Sequence, residues 1–236
     1  FTYGQSLDAD IKINSIKQNN QSIDLVLEYR NQVYNSTIGM IGKFQAYNVV
    51  AAASICIALG IDPNLIFKSI SYLKPARGRM EIISVTHNNS IVVIDYAHTP
   101  EALNYVLKSI REIAKGKIIT LFGCGGDRDK EKRKSMGQLA REFSDLVIVT
   151  DDNPRTESPV NIRKDILEGC PNAEEVADRN KAINYAISKL QKNDFLLIAG
   201  KGHETSQTIG IETLPFDDYT VAKETIKNIE KVRETF

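Results

Sequence analysis

The sequence predicts an α/β fold with a mostly parallel sheet in its C-terminal part. From Ile91 onward, short runs rich in β-branched residues alternate with longer stretches of helical composition. The short runs are apolar throughout, which is typical of strands that are covered by helices on both faces. Because strands and helices follow one another in strict alternation, parallel pairing of the strands is favoured.

The N-terminal part has a different pattern. Residues 1–13 and 23–39 predict strand segments, and we expect them to lack pairing partners because no earlier strand precedes them. Residues 45–60 are rich in alanine and end on a glycine, which predicts a helix. A second helix is predicted over residues 62–73, where Asp62 is the N-cap and Pro63 lies in the first turn.

Residues 75–81, with the sequence PARGRME, interrupt both patterns with a proline and a glycine. We therefore place a domain boundary after Lys74, which gives one domain over residues 1–74 and another over residues 75–236.

The second domain contains four predicted strands. They are IVVID at 91–95, IITLF at 118–122, LVIVT at 146–150 and FLLIAG at 195–200. Helices are predicted after each of the first three strands, ending near Lys115, Phe143 and Gly169, and two further helices over residues 180–190 and from about Thr220. This order places helices between successive strands, as a parallel sheet requires.

Composition excludes several classes of function. Thirty basic and thirty acidic side chains give a formal net charge of +0, so no nucleic acid or membrane surface is indicated as a partner. The longest apolar run, residues 49–61, is too short to span a bilayer, and no signal peptide opens the chain. We expect a cytoplasmic protein whose three cysteines are reduced thiols.

Four polar clusters follow the four predicted strands. They are DYAHTP at 95–100, GCGGDRDKEKR at 123–133, DDNPR at 151–155 and GKGHE at 200–204. Ligands of open parallel sheets bind beyond the carboxyl ends of the strands, so we expect one shared site. Taken singly, the glycines could form a flexible connection, DDNPR could cap a helix, and His98 could be structural.

The combined residues suit an amino acid. Arg128 and Arg155 offer bidentate donors for carboxylates, whereas Asp152 and Glu204 offer acceptors for an ammonium group. A dinucleotide fingerprint is excluded because Arg128 occupies its third glycine position. Since no serine or cysteine has a histidine and an acid arranged in a known motif, covalent catalysis is not indicated.

Six motifs carry a resemblance to a known family. GKFQAYNVVAA, GRME, DYAHTP, FGCGGDRDK, TDDNPR and AGKGHE occur in this order, between about Gly42 and the end of the chain. In order and spacing they resemble the Mur ligases, and most closely the branch that adds meso-diaminopimelate. DNPR in this context distinguishes that branch from relatives that add lysine, and it disfavours a folate polyglutamate ligase.

The resemblance implies a set of binding residues. Those that match the diaminopimelate site are Arg128, Asp152, Asn153, Pro154, Arg155, Gly200 and Glu204. Those that match nucleotide contacts are Asn48, Arg79, Asp95 and His98. No catalytic residue and no metal ligand is assigned within this chain.

The reaction that the resemblance implies is ATP-dependent amide bond formation in peptidoglycan precursor synthesis. The carboxylate of UDP-MurNAc-L-Ala-D-Glu is converted to an acyl phosphate, which the amine of meso-diaminopimelate attacks, with Mg²⁺ neutralising charge. ATP and Mg²⁺ are thus the implied cofactors, the partners are small molecules, and a monomer is expected.

The sequence departs from the family pattern because it contains no G-x-x-x-x-G-K-[ST] phosphate-binding loop. We therefore expect residues 1–74 to be the end of the central ATP-binding domain and residues 75–236 to be a Rossmann-like C-terminal domain. The chain by itself is then expected to be inactive as a ligase. The alternative is a non-catalytic fragment that binds an amino acid or a nucleotide.

Overall fold

The computed structural model describes residues 1–85 and 87–234. The chain forms two compact units, Phe1–Pro75 and Ala76–Phe236. The division falls within the predicted interruption PARGRME, one residue beyond the predicted boundary. Each unit has its own sheet.

The first unit is a four-stranded sheet with two helices. Its elements are β1 (Tyr3–Gly4), β2 (Ile11–Gln18), β3 (Ile23–Tyr29), β4 (Gln32–Ile38), α1 (Phe44–Ala58), α2 (Pro63–Ser69) and a 3-10 turn (Ile70–Tyr72). The expectation that these strands lack partners was wrong, because β2, β3 and β4 pair with one another in an antiparallel sheet. Arg30 and Asn31 both have positive φ, 49° and 63°, which suits a tight two-residue hairpin between β3 and β4.

The second unit is built on a six-stranded sheet in the order β5-β6-β10-β7-β8-β9. The strands are β5 (Glu81–Val85), β6 (Ser90–Asp95), β7 (Ile118–Phe122), β8 (Leu146–Val149), β9 (Glu174–Glu175) and β10 (Phe195–Ala199). The helices are α3 (Pro100–Arg111), α4 (Glu131–Phe143), α5 (Pro159–Leu167), α6 (Arg179–Ser188) and α7 (Asp218–Glu234). All pairs are parallel except β5 with β6, so the predicted α/β class with a mostly parallel sheet is confirmed.

The core of this unit explains why the strand sequences are mostly apolar. β6, β7 and β10 are buried at every position. On one face, Val92, Leu121 and Ile198 pack with Ala182 of α6 and Ala222 of α7. Helix α3 contacts β10, and α4 and α5 contact β8. Since β6, β7 and β10 are buried at every position, both faces of these strands are covered.

Three features of the second unit differ from the sequence-based expectation. Strand β5 and the short strand β9 were not predicted, and neither was a hairpin of β11 (Ser206–Ile209) and β12 (Glu212–Pro215). The hairpin forms its own two-stranded sheet directly after the GKGHE motif. Within residues 1–85 and 87–234, no helix is long and apolar enough to span a membrane.

Candidate functional site

A pocket of about 500 Å³ lies at the carboxyl ends of β6, β7, β8 and β10. Its lining includes residues from each of the four polar clusters that the sequence analysis singled out. Six of the lining residues are charged: Arg128, Asp129, Lys132, Asp152, Arg155 and Glu204. Tyr96, His98, Thr99, Gly123, Cys124, Gly125, Asn153 and Gly200 complete the lining. The second unit thus brings the four clusters together around one cavity.

The loop after β8 is held by the unpredicted hairpin. The Arg155 backbone N–H donates to the Thr208 carbonyl at 3.1 Å, and the Gly210 N–H donates to the Arg155 carbonyl at 2.7 Å. Arg155 has φ 51°, a left-handed conformation that is uncommon for a residue with a side chain. The hairpin therefore fixes a backbone conformation that Pro154, which restricts only its own φ, cannot set.

The glycine-rich loop after β7 packs against the loop after β8. A Cβ at Gly126 would clash with the carbonyl of Pro154, so a glycine is required for this approach. The Asp127 carboxylate accepts hydrogen bonds from the backbone N–H and the hydroxyl of Thr156, at 3.1 and 2.9 Å. The glycines of GCGG thus allow two loop backbones to touch, and the loop is anchored rather than a free connection.

A buried arginine on α4 supports the loops after β7 and β8. Arg133 on α4 is fully buried, and its guanidinium contacts Glu157 at 2.8 Å and Asp165 at 2.9 Å. Hydrogen bonds from Arg133 lower the pKa of Glu157 to about 2. Glu157 also accepts the backbone N–H of Asp127 at 3.2 Å, so one carboxylate ties the start of α4 to the loops that line the pocket.

The two arginines predicted to bind carboxylates both line the pocket. Arg155 Nη1 donates to the carbonyl of Gly126 at 2.9 Å, and all hydrogen bonds of this guanidinium to other described residues leave from Nη1. Its Nε and Nη2 donors are therefore available to a ligand. Arg128 is exposed and donates to the carbonyl of Asp127 at 3.0 Å.

Asp152 is a buried carboxylate in the pocket lining. It is 8% exposed, and among the described residues its carboxylate accepts no hydrogen bond. Burial raises its pKa, while Arg179 and Lys201 act in the opposite direction. Gly200, at φ 111°, lies against it, and a Cβ there would be 2.8 Å from Asp152 Oδ2. The carboxylate thus packs closely against Gly200, and among the described residues it lacks a partner for its negative charge at hydrogen-bond distance.

Asn153 and Glu204 are held by a residue that the sequence analysis missed. Lys201 is fully buried, and its Nζ donates to Asn153 Oδ1 at 3.2 Å and to Glu204 Oε2 at 3.1 Å. Asn153 Nδ2 donates to the same Glu204 oxygen at 2.8 Å. The second residue of GKGHE was the available signal, but a lysine between two glycines normally indicates a solvated loop.

Of the residues predicted to contact a nucleotide, only His98 lines the pocket. Asn48 lies on α1 in the first unit and is exposed. Asp95 does not line the pocket, and its two oxygens accept the backbone N–H groups of Met80 and Ala97, each at 2.8 Å. His98 lines the pocket and packs its ring edge against Tyr96, over whose ring the Arg79 guanidinium lies at 4.6 Å.

No thiol in the pocket is suited to nucleophilic attack. Cys124 is 3% exposed, and burial raises its pKa to about 12, so the thiolate is scarce at neutral pH. Among the described residues, no group of three or more His, Cys, Asp or Glu side chains is placed to hold a metal ion. The arrangement is therefore that of a polar binding pocket with paired donors and acceptors.

Comparison with known proteins agrees with this geometry. The family model of the Mur ligase glutamate ligase domain matches residues 78–202, which include three of the four clusters in full and the first three residues of the fourth, GKGHE at 200–204. The chain belongs to the Mur ligase family.

Similar Mur ligases come from several bacteria. The chain is 38% identical to a UDP-N-acetylmuramoyl-L-alanyl-D-glutamate–2,6-diaminopimelate ligase of Agrobacterium fabrum, over 96% of this chain and 49% of the relative. It is 42% identical to the ligase of the same name from Zymomonas mobilis, over 93% of this chain and 47% of the relative. A solved structure of a ligase with this name has a TM-score of 0.72 and 33% identity, and the match covers 97% of this chain and 48% of that one.

These matches also show how much of each protein is aligned. The chain spans about half the length of the curated Mur ligases that it matches. The similarity includes both units, since the aligned share of this chain is above nine tenths in each of these cases.

Proposed function

We propose that the second unit binds meso-diaminopimelate and that the chain acts as the amino-acid-binding part of an ATP-dependent amide ligase. In this reaction the amino acid is joined to the D-glutamyl carboxylate of UDP-MurNAc-L-Ala-D-Glu through an acyl phosphate. The relatives that carry the diaminopimelate ligase name support the substrate, and the pocket supports the binding role.

The observation that carries the proposal is the charge pattern of the pocket. The lining contains three carboxylates and three cations: Asp129, Asp152 and Glu204, and Arg128, Lys132 and Arg155. meso-Diaminopimelate at neutral pH carries two carboxylates and two ammonium groups and has no net charge, so it matches a pocket whose lining is balanced in the same way. The arginines suit the distal carboxylate, and Asp152 and Glu204 suit the distal ammonium group.

Mg²⁺ and ATP are implied by the family. The described residues offer a surface for the nucleotide but no cluster of metal ligands. Since no metal-binding cluster occurs among those residues, we assign no step of the reaction to a metal held by this chain. His98 and Arg79 both contact the Tyr96 ring and form a polar and aromatic surface with it, and we propose that this surface contacts the nucleotide. What this chain supplies in the reaction is therefore binding and orientation of the attacking amine.

Calorimetric titration of the 236-residue chain tests the proposal. We expect meso-diaminopimelate to bind with one site per chain and L-lysine to bind at least tenfold more weakly. Removal of the pocket arginine in Arg128→Ala should weaken binding, whereas Arg233→Ala, which changes an exposed arginine at the end of α7, should have no effect. If meso-diaminopimelate gives no heat and protects no amide in the pocket from exchange, the proposal is wrong.

The chain by itself is expected to release no phosphate from ATP when both substrates are added. The reason is that no phosphate-binding loop motif occurs in the sequence, so the backbone amides and lysine that cradle the γ-phosphate are not provided. A phosphate-release assay distinguishes a self-sufficient ligase from a binding fragment. Substrate-dependent release above the ATP-only background would contradict the expectation and assign catalysis to this chain.

A further inference from the structure

Lys201 is the only lysine among the largest fully buried side chains of the described residues. Its Nζ donates to three oxygens: Asn153 Oδ1 at 3.2 Å, Glu204 Oε2 at 3.1 Å and the Ser206 carbonyl at 2.6 Å. An ammonium group has three donors, so each of its protons has an acceptor. Because a buried charge without such partners is strongly unfavourable, this site is built for a cation.

The three side chains form a closed triangle. Lys201 contacts one oxygen of Glu204 and the amide oxygen of Asn153, and the Asn153 amide nitrogen contacts the same Glu204 oxygen at 2.8 Å. The cation on one side and the carboxylate on the other leave only one favourable orientation for the amide. Thr208 N–H donates to Asn153 Oδ1 at 2.9 Å and attaches the triangle to the hairpin.

The two carboxylate oxygens of Glu204 differ in their hydrogen bonds. Oε2 accepts both hydrogen bonds, and among the described residues Oε1 accepts none. The Glu204 side chain is 32% exposed and lines the pocket, whereas Lys201 is fully buried and does not. Lys201 therefore cannot touch a ligand directly, but it determines where the open oxygen of Glu204 lies.

We propose that Lys201 is a positioning residue for amino acid binding, which holds Glu204 and Asn153 so that Glu204 Oε1 receives the ammonium group of the amino acid. This inference rests on the proposed function and names the residue that sets its ammonium-binding side. A flexible glutamate would have to lose rotamer freedom when the ligand binds, and Lys201 removes that cost before the ligand arrives.

A double-mutant cycle with calorimetry tests the coupling. Lys201→Met replaces the side chain with an unbranched apolar one that is a single atom shorter and removes the charge, and we expect it to raise the Kd for meso-diaminopimelate at least tenfold. In a Glu204→Gln background the same substitution should change the Kd less than threefold, because its effect passes through the carboxylate. Lys189→Met, which removes an exposed lysine after α6, is the matched control and should leave the Kd unchanged.

Two outcomes of the cycle would overturn the proposal. One is an unchanged Kd in Lys201→Met, and the other is an equal loss with and without the Glu204 carboxylate, which would indicate a general effect on the fold. If the unsubstituted chain binds no meso-diaminopimelate, the proposed function fails, and the spectroscopic test below then decides whether Lys201 positions Asn153.

The spectroscopic test uses the unsubstituted chain and does not depend on how Lys201→Met folds. In a ¹⁵N–¹H spectrum, the side-chain amide of Asn153 should exchange with solvent far more slowly than that of Asn161, which is exposed on α5. Where Lys201→Met folds, this protection should fall. Equal exchange of the two amides in the unsubstituted chain would mean that the triangle does not persist in solution and would overturn the proposal.

Discussion

Arg155 has a strained backbone, and its guanidinium is only partly used by the protein. Its φ of 51° is held by the hydrogen bonds of the hairpin, while its Nη1 is anchored to the carbonyl of Gly126. Anchoring of one nitrogen restricts the side chain and leaves the other donors for a ligand. A fixed guanidinium loses little further freedom when it binds a carboxylate.

Because of the positive φ of Arg155, its side chain can be removed by a substitution that keeps the loop conformation. Arg155→Gly removes the guanidinium and introduces the residue that adopts a positive φ most easily, so the loop conformation should be preserved. We expect the Kd for meso-diaminopimelate to rise at least tenfold. The Kd for L-lysine should change less, because lysine has no distal carboxylate for Arg155 to bind, so the difference in affinity between the two amino acids should narrow. Truncation of one partner of a desolvated charge pair costs on the order of 2 to 5 kcal/mol.

Competition calorimetry with the two amino acids measures this change, and Arg233→Gly serves as the surface control. An Arg155→Gly chain that kept its full preference for meso-diaminopimelate would contradict the role of Arg155 in recognising the distal carboxylate. DDNPR would then be a structural turn.

Asp152 is expected to favour ligand binding at the expense of stability. Near its carboxylate lie two cations, Arg179 and Lys201, and two further anions, Glu204 and Asp218. Arg179 and Lys201 contact Asp218 and Glu204 at 2.7 and 3.1 Å, so Asp152 is the charge that lacks a counterion of its own. Asp152→Asn should therefore raise the melting temperature at pH 7, by roughly 2 to 4 °C if the gain is about 1 kcal/mol, while it weakens meso-diaminopimelate binding.

The difference in melting temperature between the unsubstituted protein and Asp152→Asn should depend on pH in a defined direction. Burial raises the pKa of Asp152 in the folded state, so the ionised carboxylate destabilises the protein at neutral pH. As the pH falls through the raised pKa, the native carboxyl takes up a proton and the penalty shrinks, and it is gone below the ordinary pKa of an aspartate. Thermal unfolding of both proteins between pH 7 and pH 4 should show the two melting temperatures converging, and a gap that widened on acidification would contradict this account.

At the scale of elements, the hairpin β11–β12 supports the pocket from outside the main sheet. Thr208 donates its backbone N–H to Asn153 Oδ1 at 2.9 Å and accepts the backbone N–H of Arg155 at 3.1 Å. Both backbone groups of Thr208 thus face the loop after β8. Its cross-strand partner Thr213 then has its own backbone groups directed away from β11.

This geometry allows a matched pair of proline substitutions. Thr208→Pro removes the N–H that Asn153 needs, and we expect the Kd for meso-diaminopimelate to rise at least fivefold. Thr213→Pro places the same residue on the outer side of the exposed edge strand, where proline is tolerated, and should leave the Kd within twofold. Calorimetry on both variants decides the matter: equal losses would mean that the hairpin acts only through its general stability.

The hairpin also marks a limit of what the sequence predicts at this scale. β6, β7 and β10 were predicted because their sequences are mostly apolar, and the structure buries every residue in them. β12 is exposed at every position, so its residues carry no periodic pattern of burial. The hairpin is held by hydrogen bonds to a loop that lies far from it in sequence, and such contacts leave no signal in local periodicity.

The same reasoning applies to the candidate site. The charged ends of the strands could be found from the sequence because the sheet topology brings them to one edge. Lys201 could not, since its burial depends on Asn153, which lies far from it in sequence. The positive φ of Arg155 was also missed, because the hairpin that stabilises it had not been predicted.

At the scale of the whole molecule, each unit has a hydrophobic cluster of its own. In the first unit, Ile23, Leu25 and Leu27 of β3 pack with Val50 of α1 and Phe67 of α2. Together with the antiparallel pairing of β2, β3 and β4, this cluster gives the first unit a sheet and a core of its own. The second unit contains the six-stranded sheet and every residue that lines the pocket.

We therefore predict that residues 76–236, expressed alone, fold and bind meso-diaminopimelate with a Kd within threefold of the 236-residue chain. The cut would fall between the two compact units, and no strand of the six-stranded sheet would lose a partner. The buried pair Arg179 and Asp218, which connects the starts of α6 and α7, also lies entirely within this segment. The folding of a domain requires its own core, and this unit has one.

Two measurements separate folding from binding in that experiment. Hydrogen exchange should show slow amides in β6, β7 and β10 at rates close to those in the full chain, which establishes that the sheet is intact. Calorimetry then compares the two Kd values. If the segment keeps its slow amides but loses binding, residues 1–75 contribute to recognition of the amino acid, and the assignment of the complete site to the second unit is wrong.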